Sequence, residues 1–272
     1  MRIALAELQC RRARSLEDTL EQLSRQNPPQ LIAGCTDVFV ALNFGTLKEQ
    51  RFLDITTLPL RDIDAHGDTL RLGALTTYTQ MIASPIVRER LPMLVEAARQ
   101  VGGVQIQNRG TIGGNIANGS PAGDTLPVLA AANAIVVLQS ISAVRRIPFN
   151  DFFTGYRTSV RRTDELIVAI EIPAVEGQQW FRKVGTRAAQ AISKLVLAGV
   201  RGPETRLAIG SVAATVIRAR RTEAALASGE SVEKASEVLG AEITPIDDIR
   251  STAEYRRRVA QNLLQRFWHD TA

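Results

Sequence analysis

Residues 108–127 read NRGTIGGNIANGSPAGDTLP, and this stretch decides how the rest of the chain is interpreted. It holds five of the chain's 19 glycines, together with three asparagines and two prolines. Glycine and proline weaken both helices and strands, so the composition predicts a long irregular segment. A loop of this length is usually either functional or disordered. Because apolar residues run through it and flank it, we expect an ordered loop that wraps around something.

A second loop shares a physical property with this one. Ala33-Gly34-Cys35-Thr36-Asp37 joins a short strand to a helix, which places backbone N–H groups and the positive end of a helix together. Thr111 to Asn115 is expected to offer another cluster of N–H groups, with glycines that allow close approach. Such arrangements bind phosphate, and two of them suit a diphosphate. Asn115, Asn118 and Asp124 then supply groups for sugar or ribityl hydroxyls and base edges.

The residues alone leave an alternative open, in which the glycines only permit tight turns between packed elements. The G-x-G-x-x-G fingerprint of a Rossmann dinucleotide site is absent from the first strand–helix junction, so that class of site is not supported.

Composition restricts the chemistry that this chain performs by itself. The chain has 272 residues with only two cysteines and two histidines, too few for an iron–sulfur cluster or a structural zinc site. No side chain stands out as catalytic, so a bound cofactor is expected to carry the chemistry. The net charge of +5 is spread along the chain, which argues against nucleic-acid binding. No apolar run is long enough to cross a membrane and no secretory signal is evident, so we expect a cytoplasmic protein.

Hydrophobic periodicity, together with the positions of glycine, proline and helix-capping residues, predicts an α+β chain. The expected elements are an extended segment around 3–8, a helix from Ser15, strands at 30–33 and 51–55 around a helix at 38–43, a hairpin of 60–63 with 69–73, helices up to residue 99, and a buried strand at 165–172. Composition changes near 173–178. Three strands at 180–186, 192–200 and 207–216 follow, and then helices, the last one opening at Ser251 with Tyr255, Val259, Leu263 and Phe267 on its apolar face.

Three segments carry a resemblance to a known family: LIAGCTD (31–37), NRGTIGGNIANGSPAGD (108–124) and FFTGYRTSVRRTDELIVAIEIP (152–173). With AIGSVAATVIRARRTEAAL and STAEYRRRVAQ further on, the chain resembles, over almost its whole length, the flavoprotein subunit of molybdenum hydroxylases such as xanthine dehydrogenase and carbon monoxide dehydrogenase. The resemblance implies a vanillyl-alcohol-oxidase-type FAD-binding domain at 1–175, with α/β lobes at about 1–56 and 57–175. A C-terminal domain with a three-stranded sheet and helices is implied at 176–272.

The resemblance also implies a set of FAD-binding residues. Two loops would cradle the pyrophosphate and ribityl chain, Asp124 would bind polar groups of the cofactor, Ile167 would pack on the isoalloxazine, and Lys183 would approach the flavin ring. The loop residues are Leu31, Ile32, Ala33, Gly34, Cys35, Thr36, Asp37, Thr111, Gly113, Gly114 and Asn115, with Asn118 following them.

Two departures from the family's pattern bear on these roles. The family usually has glycine where this chain has Cys35, and a non-glycine residue with positive φ costs roughly 1–2 kcal/mol. The loop after Lys183 reads Thr-Arg-Ala-Ala-Gln-Ala and lacks the charged run typical of animal xanthine dehydrogenases, which puts NAD⁺ as electron acceptor in doubt.

The implied function is that of an oxidoreductase subunit that transfers electrons. FAD on this chain would receive electrons from [2Fe–2S] clusters on a small partner subunit, fed by a large molybdenum-pterin subunit, and pass them to NAD, oxygen or another acceptor. Two alternatives remain at this stage: a flavin-free binding or assembly protein with the same fold, and a stand-alone flavin reductase.

Overall fold

The computed structural model describes residues 7–272. Within that range, no helix combines the length and the apolar character needed to cross a membrane. The extended segment predicted around residues 3–8 lies mostly outside the described residues, and the first described strand follows it at Gln9–Arg12.

A small parallel sheet opens the fold. Strands β1 (Gln9–Arg12), β2 (Gln30–Ile32) and β3 (Arg51–Asp54) pair in the order β1-β3-β2, joined by α1 (Leu16–Leu23) and α2 (Thr36–Phe44). Ser15 begins α1 by accepting a hydrogen bond from the amide of Asp18, as its N-cap position predicts. Leu20 and Leu23 bury the apolar face of α1 in one cluster with Leu53.

A larger antiparallel sheet follows, with strand order β4-β5-β10-β6-β7. Its strands are β4 (Ile63–His66), β5 (Thr69–Gly73), β6 (Ile135–Gln139), β7 (Val144–Pro148) and β10 (Leu166–Ile172). A small hairpin, β8 (Phe153–Gly155) with β9 (Thr158–Ser159), precedes β10. The predicted hairpin exists, but its first strand begins three residues later than expected. Gly67 has a φ of +57°, which moves the turn to the Gly67–Asp68 pair.

Helices cover this sheet: α3 (Tyr78–Ala83), α4 (Pro85–Arg90), α5 (Pro92–Arg99), α6 (Val104–Gln107), α7 (Ile112–Asn118) and α8 (Leu126–Ala131). The prediction that 108–127 is irregular is therefore wrong in part, because α7 lies inside it. Thr111 caps α7 by accepting from the amide of Gly114, and Gly119 ends it with a φ of +57°. Gly113 is required by packing, since a Cβ there would lie 2.7 Å from the carbonyl oxygen of Ala74.

The last part of the chain forms a four-stranded antiparallel sheet, not the three-stranded one expected. Strands β11 (Gln178–Val184), β12 (Leu195–Arg201) and β13 (Arg206–Gly210) are followed by a two-residue strand, β14 (Ile217–Arg218). One face of this sheet packs into the core of the preceding helices and the other against α9 (Arg220–Ala227), α10 (Val232–Glu242) and α11 (Ala253–Asp270).

Helix α11 differs from its prediction in both start and phase. Its N-cap is Thr252 rather than Ser251. Its buried residues are Arg256, Ala260, Leu264 and Phe267, so of the predicted face only Phe267 is fully buried, while Tyr255 is 42% exposed. Arg256 explains why the buried face of α11 is rotated from the predicted face. Its guanidinium is held below the surface by the carboxylate of Asp248 at 2.8 Å and the carbonyl of Ile246 at 3.0 Å.

Candidate functional site

A cavity of about 520 Å³ lies between the first sheet, α7 and the start of β10. Both loops predicted from the sequence line it, although they are separated by more than seventy residues along the chain. The predicted residues in its lining are Leu31, Ile32, Ala33, Gly34, Cys35, Thr36, Asp37, Thr111, Gly113, Gly114, Asn115, Asn118 and Ile167. The fold therefore brings together all of the predicted site residues except Asp124 and Lys183.

The two loops touch at Gly34. A Cβ at that position would lie 2.0 Å from the carbonyl oxygen of Arg109, a distance that no side chain tolerates. Glycine at position 34 is therefore what permits the first loop to close against the segment leading into α7.

The first loop carries unpaired hydrogen-bond donors. Cys35 is the N-cap of α2 and provides no side-chain cap. Within residues 7–272, the backbone N–H groups of Gly34, Cys35, Thr36 and Asp37 donate to no protein acceptor. A helix N-terminus with free N–H groups and the positive end of its dipole attracts an anion. This loop has the donors that phosphate binding requires.

Cys35 holds that loop in a left-handed conformation, with φ of +61° and ψ of +7°. The side chain is half-buried, and burial raises the pKa of its thiol above the usual range. A thiol that stays protonated is a poor nucleophile, so the geometry favours a conformational role for this position over a redox one.

The second loop differs from the expectation in one important respect. The prediction of free N–H groups between Thr111 and Asn115 is wrong for four of the five. Ile112 donates to the carbonyl of Thr76, Gly113 to that of Ala74, and both Gly114 and Asn115 to Thr111. What this loop gives the cavity is a bare surface at Gly114, which is exposed and has no Cβ to obstruct a ligand.

Polar side chains close one end of the cavity. Asn118 donates to Asp37 Oδ1 at 3.0 Å and accepts from Arg157 at 3.1 Å, so the three form a chain of hydrogen bonds across the opening. Burial raises the pKa of Asp37, and Arg157 and Asn118 oppose that shift. Arg157 sits at the tip of the β8–β9 hairpin with a φ of +54°.

Asp124 and Lys183 do not line the cavity but pair with each other. The two charged atoms are 2.6 Å apart, and Lys183 also donates to the carbonyl of Gln100 at 2.9 Å. Ser193 donates to the other carboxylate oxygen. Both side chains are at least nine-tenths buried. Burial raises the pKa of Asp124, while Lys183 and Ser193 act to lower it. The pair fastens the segment after α7 to β11.

Several cavity residues were missed by the sequence prediction. They are Pro28, Pro29, Gln30, Tyr78, Arg157, Arg161, Thr163 and Glu165. The two prolines follow the helix that begins at Ser15, where proline indicates the end of a helix and not a cavity wall. Four of them, Arg157, Arg161, Thr163 and Glu165, fall in the segment 152–173 that carries the resemblance, from which the prediction includes only Ile167. The segment that leads into β10 turns their side chains toward the cavity. Hydrophobic periodicity does not reveal the direction of side chains in such an irregular segment.

Comparison with known proteins places this geometry in context. Residues 6–175 match the family described as the FAD binding domain in molybdopterin dehydrogenase, and residues 181–271 match the CO dehydrogenase flavoprotein C-terminal domain. The chain is 31% identical over 272 residues to the glyceraldehyde dehydrogenase medium chain of Sulfolobus acidocaldarius, covering 96% of this chain and 97% of that one. It is 32% identical over 263 residues to the nicotine 6-hydroxylase medium subunit of Paenarthrobacter nicotinovorans, covering 93% of each.

The fold is similar to that of a solved structure as well. A chain of the carbon monoxide dehydrogenase from Hydrogenophaga pseudoflava, in a form that lacks the Mo-pyranopterin moiety of the molybdenum cofactor, superposes with a TM-score of 0.91 at 29% identity. The match covers 98% of this chain and 99% of that chain.

Proposed function

Because the chain belongs to the family of FAD-binding subunits of molybdopterin dehydrogenases, we propose that it is the electron-transfer flavoprotein of such a complex. The cavity would hold FAD, which would supply electron transfer between [2Fe–2S] clusters on a small partner subunit and an external acceptor. A large molybdenum-pterin subunit would oxidise the organic substrate and feed those clusters. The observation that carries the proposal is that four unpaired amides and a bare glycine surface face one cavity.

The residues of the cavity fit a flavin dinucleotide. The free N–H groups of Gly34 to Asp37 are donors for a diphosphate, and Gly114 lets it approach the backbone. Leu31 and Ile167 supply an apolar wall for a flat ring. Asn115 is held by a hydrogen bond from Thr125 at 2.7 Å, which fixes the direction of its amide group.

Each part of the chain has a defined task in this proposal. The loops bind and orient the cofactor, and Asn118 with Asp37 offers hydrogen bonds to its hydroxyl groups. When bound, FAD supplies the conversion between one-electron and two-electron transfer. Asp124 and Lys183 have a structural role in this proposal, since their ion pair holds the segment after α7 against β11. Direct contact of either residue with the cofactor stays a prediction.

The substrate of the complex is not encoded in this chain. Subunits named for glyceraldehyde and nicotine oxidation show nearly the same identity to it, at 31% and 32%. We propose that substrate choice belongs to the large partner, and that electrons leave this chain for an external acceptor, which is NAD⁺, oxygen or another compound. A stand-alone flavin reductase fits less well, because the C-terminal part matches a CO dehydrogenase flavoprotein domain.

Titration of the purified full-length chain with FAD tests the binding step. We expect a yellow complex with one FAD per chain. Gly114→Leu should abolish it by filling the cavity, while Ala224→Leu, which adds the same side chain to an exposed turn of α9, should bind FAD normally. A chain that folds but takes up no FAD would contradict the proposal.

Co-expression with candidate partner chains tests the electron-transfer step. The purified complex should contain iron and molybdenum in addition to FAD. Rapid mixing with substrate should bleach the flavin absorbance in the wild-type complex and leave it unchanged in one that lacks the small subunit. Bleaching at the same rate without the small subunit would rule out the proposed route.

A further inference from the structure

The donors of the second loop are consumed within the protein, so the diphosphate of a dinucleotide needs another partner. Four amides of the first loop remain for a group that carries two negative charges. The cavity lining contains two guanidinium groups, Arg157 and Arg161. Their surroundings differ in a way that separates their roles.

Arg157 is exposed to solvent and already donates to Asn118 next to the carboxylate of Asp37. Its charge is hydrated and has an acidic neighbour. Arg161 is half-buried, and burial lowers the pKa of its guanidinium although the charge of Glu165 acts to raise it. Its electrostatic surroundings therefore favour an anion more strongly than those of Arg157.

Glu165 does not supply that anion. Its carboxylate is nearly fully buried and accepts from Arg145 at 2.8 and 2.9 Å and from the amide of Arg162 at 2.7 Å. Arg161 contacts only backbone carbonyls, of Arg162 at 3.1 Å and of Glu165 at 2.8 Å, both through Nη1. Within residues 7–272, no carboxylate lies within ion-pair distance of Arg161. Arg145, Glu165 and Arg161 thus form a cluster with a net charge of +1, of which Glu165 and Arg161 line the cavity.

Nη1 is anchored, which leaves Nε and Nη2 without a protein acceptor in the described part of the chain. A guanidinium held in this way presents two parallel donors, the geometry that matches two oxygens of a phosphate.

We propose that Arg161, in the lining of the same cavity, binds the diphosphate of the dinucleotide together with the amides of the Gly34–Asp37 loop. This inference rests on the proposed function. It adds a positively charged partner for the diphosphate, because the amides of residues 112–115 already donate to acceptors within the protein. Arg161 is a cofactor-binding residue in this proposal and takes no part in proton transfer.

Equilibrium binding to the full-length chain tests it, with FAD, ADP and adenosine as probes. Arg161→Met should raise the dissociation constants of FAD and ADP by about tenfold to hundredfold, since a charge-assisted hydrogen bond is lost. Adenosine, which has no phosphate, should bind to the variant and to the wild type alike. Arg161→Lys should recover part of the loss, and increasing salt should weaken FAD binding less in Arg161→Met than in the wild type.

Arg162→Met is the matched control, because its side chain is exposed and only its backbone takes part in the cluster, through the amide that donates to Glu165 and the carbonyl that accepts from Arg161. Its FAD affinity should stay within about twofold of the wild type. Unchanged FAD and ADP affinities in Arg161→Met would overturn the inference while leaving the proposed function intact. An equal loss of adenosine affinity would also overturn it, since it would show that the side chain shapes the cavity. If Arg161→Met does not fold, the same comparison in Arg161→Lys decides. A wild-type chain that binds no FAD would remove both proposals.

Discussion

Replacing Cys35 with glycine should stabilise the folded chain. Cys35 has a φ of +61°, in the left-handed region where a Cβ crowds the following carbonyl oxygen, at a cost of roughly 1–2 kcal/mol. Glycine has no Cβ and adopts this conformation freely, but it also gives the unfolded chain more freedom, which offsets about 0.5–1 kcal/mol. The difference is a gain of about 0.5–1 kcal/mol in the free energy of unfolding.

Cys35→Ala is the control that separates strain from the thiol. Alanine keeps the Cβ and its strain but removes Sγ, which makes a weak hydrogen bond to the carbonyl of Ala33 at 3.5 Å. We therefore expect Cys35→Ala to unfold at nearly the same urea concentration as the wild type. Cys35→Gly should unfold at a higher one.

Urea unfolding followed by circular dichroism gives the free energies, and FAD titration gives a second readout. The left-handed geometry belongs to the folded loop, so the strain should appear in the unfolding free energy, and FAD affinity should change by less than about threefold. Equal unfolding free energies for the glycine and alanine variants would refute the strain argument. An affinity gain much larger than threefold would show that the loop reaches its binding geometry only with the ligand in place.

Three further predictions concern other parts of the molecule. Gly34→Ala should prevent FAD uptake, as measured by flavin absorbance, because its Cβ would lie 2.0 Å from a carbonyl oxygen. Lys183→Met should lower the free energy of unfolding by about 3–5 kcal/mol in urea, since it strands the buried carboxylate of Asp124, and adding Asp124→Leu should restore most of that loss. Burial alone would raise the pKa of Asp248, but hydrogen bonds, first from Arg256, lower it to about 2. Its stabilising contribution is therefore present above about pH 4 and lost as the pH falls toward 2, and Asp248→Asn should remove that part of the acid dependence.

The location of the cavity was predictable because it depends on local chemistry. Gly34 and Gly113 occupy positions where a Cβ would clash with a backbone carbonyl oxygen, and such positions are visible in the sequence as glycine next to polar residues. The expectation of a strand at 30–33 followed by a helix at 38–43 was confirmed, although the helix begins two residues earlier, at Thr36. This junction orients the free amides of the first loop.

The hydrogen bonding of the second loop was not predictable, because its acceptors are distant in sequence. The carbonyls of Ala74 and Thr76 reach Gly113 and Ile112 only after β5 and α7 have packed together. A glycine-rich segment is compatible with free amides and with satisfied ones, and tertiary contacts decide between them. The same limit applies to α11, where the ion pair of Arg256 with Asp248 buries a residue that any hydrophobicity pattern places on the surface.

The two loops that line the cavity therefore contribute different kinds of interaction with a bound dinucleotide. The first loop offers backbone dipoles and one carboxylate, Asp37, but no positive charge, and the second offers only space, so neither neutralises the two charges of a diphosphate. A helix N-terminus is worth about half an elementary charge, which leaves most of that charge uncompensated. The net +1 cluster of Arg145, Glu165 and Arg161 supplies a full charge on the same cavity. Salt should therefore weaken FAD binding mainly through Arg161. Substitutions in the glycine loops should lower FAD affinity mainly by changing the shape of the cavity, and this loss of affinity should be insensitive to salt.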